Sequence, residues 1–304
     1  MNAWGSAGKK IVLVIPLATE GGTASPGCAM RPQITPAWEI ARIKSFCTSY
    51  TSGVVPDFFD PVFQADAKAF IKAIGEHVAA NQYKDNIIYV RAGLGLGGES
   101  QPIMPCYNPA KQGCSLSDYQ TDKQQLISWW GYTPAAWEKL QENALEYCHS
   151  VFPWTTVIYP INRMFTPVND SLNTNPATGN PVQMDVAYWA TEHGFGVGQQ
   201  GLAPTSDYTY ANVNVILPHI IQTYPHTYIQ FQTVWSLSRN VTPTCDATCV
   251  MQGDIATAKK YGSQTIEWYE TDVINPANQA ALQQWQQYVA ATYGTVSSDG
   301  SGVR

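Results

Sequence analysis

The residues best suited to chemistry in this chain are carboxylates at the ends of apolar, β-branched runs. Glu99 closes the stretch Ile88-Tyr89-Val90-Arg91-Ala92-Gly93-Leu94-Gly95-Leu96-Gly97-Gly98-Glu99, where a strand gives way to small residues. Glu267 sits inside Ile266-Glu267-Trp268-Tyr269-Glu270, an otherwise apolar and aromatic segment. Glu270 is three residues further on, and alternation along a strand turns it to the opposite face. Glu20 follows the first apolar run, Ile11–Ala18. Acid/base cleavage of an acetal linkage needs a proton donor and a second carboxylate that attacks or activates water. A Glu serves as donor when burial or a neighbouring anion raises its pKa. Structural roles compete at every position. Glu99 would then hold a helix N-terminus or Arg91, Glu267 would pair with Arg91 or Arg163, and Glu20 would be an exposed loop residue.

Aromatic and amide side chains cluster at the same strand ends. Trp235 and Trp268 offer flat faces of the kind that stack on sugar rings, or else pack in the core. Gln199, Gln200, Gln230, Gln232 and Asn162 offer amides that bond hydroxyl groups, or satisfy one another inside the fold. The glycines before Glu99 would let a ligand approach the backbone closely. They also match G-x-G-x-x-G, but they lead into a carboxylate and a long Pro/Cys loop instead of opening a helix, so a phosphate cradle is rejected. No G-x-S-x-G elbow occurs, and the five histidines lie in or just after helical stretches, which argues against a serine hydrolase.

Composition narrows the partners. Charged residues make up 13% of the 304 residues and aromatics 12%, which fits either a surface suited to uncharged, hydroxylated ligands or simply an extracellular surface. The net charge is −6 and no Lys/Arg cluster stands out, which excludes the footprint of a nucleic-acid binder. No apolar run approaches the roughly 20 residues needed to cross a bilayer. Seven cysteines suggest three local bridges, Cys28 with Cys47, Cys106 with Cys114 and Cys245 with Cys249, and leave Cys148 as a buried thiol. That pattern predicts an oxidising compartment and a secreted protein. No C-x-x-C or H-x-x-x-H pair points to a metal, and no cofactor is implied. Residues 1–10 contain no apolar leader core, so a leader has been removed or the chain starts partway through a longer product.

The elements that must position these groups alternate. Strands are predicted over 11–18, 86–92, 155–161, about 194–202, 227–234 and 264–269, and helices over about 36–46, 64–80, 134–150, 182–193, 210–223, 249–261 and 276–292. Strict alternation implies a parallel sheet, hence a barrel or a doubly wound fold. No linker interrupts it, so residues 1–295 form one domain with a flexible tail at 296–304.

Two stretches carry a family resemblance. Phe59-Asp60-Pro61-Val62-Phe63, Phe70–Gly75 and Ile88–Glu99 together resemble the helix-three to strand-four unit of clan A glycoside hydrolases, especially proteins similar to family-42 β-galactosidases. The Gly-rich approach to Glu99 is also similar to that of β-amylases. Gly196–Leu202, Ile229–Thr233 and Ile266–Glu270 resemble strands six, seven and eight of that group. The resemblance implies a TIM-type (β/α) barrel, an oligo- or polysaccharide substrate, Glu99 as general acid/base and no cofactor. It leaves the first two strands missing, which implies an N-terminally incomplete barrel or strands supplied in trans by another copy in a homo-oligomer. It also expects a carboxylate on strand seven, where this chain has Gln230 and Gln232. Glu267, or Glu270, is then the second carboxylate of a glycosidase. The alternative is a non-catalytic carbohydrate-binding or assembly protein on a decayed barrel.

Overall fold

The computed structural model describes residues 1–17, 45–47, 54–93, 95, 98–102, 116–161, 181–202, 211–233 and 236–294. Six parallel strands run in sequence order across one sheet: β1 (Ile11–Val14), β4 (Ile87–Arg91), β5 (Thr156–Ile161), β6 (Gly196–Leu202), β7 (Ile229–Thr233) and β8 (Thr265–Glu267). A separate antiparallel pair joins β2 (Ser45–Cys47) to β3 (Val54–Pro56). The helices are α1 (Asn2–Ser6), α2 (Pro61–Ala79), α3 (Leu116–Trp130), α4 (Pro134–Val151), α5 (Pro181–Glu192), α6 (Ala211–Thr223), α7 (Ala247–Lys260), α8 (Glu270–Val273) and α9 (Gln279–Tyr293).

Local chemistry starts the helices where the sequence provides caps. Asp60 accepts from the Val62 N–H at 2.7 Å ahead of Pro61, and Thr133 accepts from the Ala136 N–H at 3.1 Å ahead of Pro134. Asp246 does the same for α7, accepting from Cys249 at 2.9 Å. Each pairs an oxygen with an orphan amide of the first turn, and proline at the first helical position forfeits no bond.

Parity along the strands separates two environments. Val90, Val157, Tyr159, Ile161, Val197, Ile229, Phe231 and Ile266 belong to the main core, which the helices cover. Tyr89, Ile158 and Tyr228 form a second, small cluster on the other face. That face is concave. Adjacent strands lie about 4.8 Å apart, so β4 and β8, four steps apart, would be about 19 Å apart in a flat sheet. Instead, Arg91 on β4 reaches within 3.6 Å of Glu267 on β8, and the rings of Tyr89 and Tyr228 are 5.8 Å apart. The parallel strands are thus curled around an axis into a half-barrel. β1 and β8 are its edges, and Val12 on β1 is 36% exposed.

The predicted strands and most predicted helices correspond to elements of the fold, but the antiparallel β2–β3 pair is an addition to the expected parallel strands, and there are further differences. Ser45 and Phe46, expected at the end of a helix, are in β2. α3 and α8 were not expected, and α8 takes up the end of the segment read as strand 264–269. α3 is mostly polar, and among its described side chains those buried most deeply, Lys123, Leu126 and Trp130, give only a sparse apolar stripe. The tail at 296–304 lies outside the described residues. Among the described residues no helix is long and apolar enough to cross a membrane.

Candidate functional site

The concave face gathers a polar group at the C-terminal ends of its strands. Tyr89 and Arg91 are two residues apart on β4 and therefore point the same way. Arg91 pairs in register with Val14 and Ile158, and Glu267 pairs with Gln232, so all lie on the inner face. The Tyr89 hydroxyl donates to Glu267 Oε1, while Arg91 Nη1 lies 3.6 Å from Glu267 Oε2. Arg91 Nη1 also donates to Gln232 Oε1 at 2.9 Å. The two oxygens of Glu267 are thus assigned to different partners, which fixes the carboxylate plane. Burial, followed by the charge of Glu267 and the hydrogen bond to it, pushes the Tyr89 phenol far above its ordinary range, so Tyr89 stays a donor.

Gln230 completes this interior and is fully buried. A Cβ built on Gly198 would lie 2.4 Å from Gln230 Oε1, so the missing side chain on β6 is what admits the amide. Tyr228 bonds the Thr265 hydroxyl at the opposite end of the same face.

Glu99 lies beyond β4, half-buried and held on both sides. Its carbonyl accepts from the Gly95 N–H at 2.8 Å, and its carboxylate accepts from Gln101 Nε2 at 2.9 Å. The next carbonyl, of Ser100, accepts from the Trp137 indole N–H at 2.9 Å. A Cβ on Gly95 would lie 2.1 Å from the Gln101 carbonyl oxygen, so this glycine lets the loop close on itself rather than on a ligand.

The other expected residues take varied places. Glu270 is exposed at the start of α8, where β8 has already ended, so strand alternation does not govern its direction. Trp268 is half-buried against the main core. Gln199 pairs with Phe231 on the helix-covered face and is fully buried, on the opposite face from Glu267. Gln200 pairs with Gln232 through the backbone of β6, and its side chain lies outside the described residues. Trp235, Asn162, Glu20 and Arg163 also lie outside them. The structure therefore brings Glu267 and Gln232 together through Arg91 and Tyr89. In the sequence Arg91 stands out only as a pairing partner and Tyr89 only as part of an apolar strand, although their spacing of two on a strand is the signal that one face carries both.

Cys245 and Cys249 form the expected disulfide, and Cys148 is a buried thiol that burial pushes up to about 12. The pairs Cys28 with Cys47 and Cys106 with Cys114 fall outside the described side chains. Among the described residues no group of three or more His, Cys, Asp or Glu is placed to hold a metal ion. No protein-family model, curated protein or solved structure matches the chain.

Proposed function

We propose that this protein is a secreted glycosidase that cleaves O-glycosidic bonds of a neutral oligo- or polysaccharide, on an N-terminally incomplete TIM-type barrel. The observation that carries the reading is Glu267: a carboxylate on the concave face, at a strand's C-terminal end, with one oxygen on a phenol and the other beside a guanidinium. Active sites of parallel α/β barrels occupy that end. A carboxylate so held is oriented to attack an anomeric carbon or to take a proton from water. Glu99, in the loop after β4, is the proton donor to the leaving oxygen. Gln230 and Gln232 contribute amides for sugar hydroxyls, and the disulfide supports an oxidising compartment.

The test is release of reducing sugar from a panel of glycans and aryl glycosides. Glu99→Gln and Glu267→Gln should each lower the rate by about 100-fold or more, the usual worth of a positioned acid or base. Unchanged turnover in both variants would remove the proposal. The anomeric configuration of the product, followed by NMR, reports the carboxyl spacing: retention corresponds to about 5–5.5 Å and inversion to about 6.5–9.5 Å.

One observation favours a binding-only alternative. Glu267, Arg91 and Gln232 engage one another, as a purely structural buried network would. Sugar binding that survives Glu267→Gln, without turnover by the native protein, would identify that case.

A further inference from the structure

The deepest acidic group in the described structure is not on the concave face. Asp254 projects from the middle of α7 and has no exposed surface. Among the described residues neither of its carboxylate oxygens has a hydrogen-bond partner. The acidic group next to it is Asp272 of α8, itself 5% exposed. Asp272 ties two rim segments together. Both of its oxygens accept from the Leu237 N–H, at 3.2 and 3.1 Å, and its carbonyl accepts from Asn278 Nδ2 at 3.0 Å. Asn278 in turn accepts from the Thr248 hydroxyl of α7 at 3.2 Å. The short helices 237–239 and 276–278, α8 and the start of α7 thereby form one rim, following β7 and β8 on the side where Glu267 lies.

We propose that Asp254 is a proton-operated latch: in its neutral form it lets α7 pack beneath this rim, and loss of its proton loosens the segments that Asp272 holds. Two acidic side chains in a dry space cannot both be charged without a cation. Asp272 receives an N–H that stabilises its anion, and Asp254 receives no hydrogen bond among the described residues, so the proton resides on Asp254. Burial, with the Asp272 charge adding to it, pushes the Asp254 carboxyl up to about 8.

Among the described residues the surroundings supply little compensation. β6 and the turn Pro276–Asn278, both against α7, carry no titratable side chain. α9 brings Tyr288, which lies under Lys259, and Tyr293, whose hydroxyl donates to the Gly262 carbonyl. α8 brings Asp272 and the exposed Glu270. Segment 237–239 brings Arg239, whose side chain lies outside the described residues.

A carboxyl group whose folded pKa lies above its unfolded value contributes stability that is complete below the unfolded value, near 4, and is lost as pH rises through about 8. The experiment is thermal unfolding of the full chain from pH 5 to 9, with Asp254→Asn and Asp272→Asn alongside, each with EDTA and with added Ca2+ or Mg2+. Hydrogen exchange of peptides covering 237–239 and 270–278, corrected for intrinsic rates, reads the latch directly. The native protein should lose Tm across this range and exchange faster in those peptides at pH 9. Asp254→Asn should lack the pH-dependent loss of Tm. Asp272→Asn keeps an acceptor for Leu237 but removes the charge, so it should move the transition to lower pH, and it serves if Asp254→Asn does not fold. A Tm difference between native protein and variants that is constant with pH would overturn the proposal. Stabilisation by Ca2+ or Mg2+ that disappears in Asp254→Asn would also overturn it, in favour of a cation shared by the two carboxylates.

Discussion

Glu267 and Asp254 are acidic side chains that enter the same fold from a strand and from a helix, and their surroundings differ in kind. Glu267 meets a guanidinium and a hydroxyl and keeps some access to solvent, with 20% of its side chain exposed. Asp254 meets no cation or donor among the described residues and has another acid as its neighbour. A buried carboxyl group has two routes to stability, pairing or neutralisation, because an isolated charge in a low-dielectric interior is very costly. Glu267 takes the first route and Asp254 the second. The first leaves an oriented anion for chemistry. The second couples a packing contact to pH.

Four substitutions test this contrast, beginning with the largest effect. Asp254→Asn should be nearly neutral at about pH 4 and below, where the group is protonated in both folded and unfolded chains. Above that its advantage over the native chain should grow by up to about 1.4 kcal/mol per pH unit until the native group has ionised near pH 8, as followed by denaturant unfolding. Arg91→Met gives Glu267 the predicament of Asp254. It should cost about 3 kcal/mol near neutral pH, the low end for breaking a buried pair because Glu267 retains some solvent, and stability should then rise as pH falls. An unchanged denaturation midpoint would mean that the pair contributes nothing. Tyr89→Phe removes only the hydroxyl and should cost about 2 kcal/mol, the range for a hydrogen bond to a charged group. Thr133→Ala, a cap lying outside both acidic clusters, should cost about 1 kcal/mol at every pH and serves as the control.

Much of the architecture could be read from the sequence because its causes are local. Ile11–Val14 is a run of β-branched and apolar residues, and Asp60-Pro61 and Thr133-Pro134 mark helix starts by their own chemistry. The pairing of Glu267 with Arg91 was one of two structural options for that residue, since a carboxylate inside an apolar strand needs a cation. The Asp254 cluster was missed although α7 carries a signal for it. Val250, Asp254 and Ala258 recur every four residues, so an acid sits on the stripe that packs inward. α3 was missed because its apolar residues are too sparse to show a period.

By itself the sequence determined the alternation of strands and helices, the parallel sheet that alternation requires, and the disulfide between Cys245 and Cys249, which a separation of four residues makes local. Only the tertiary structure decided which acid meets which partner. The curl of the sheet carries Arg91 across to Glu267 over 176 positions of chain, and the packing of α7 against the rim places Asp254 beside Asp272. Strand period and helix caps are set by neighbouring residues. The partner of a buried charge is set by how the whole sheet bends, which no short window of sequence encodes.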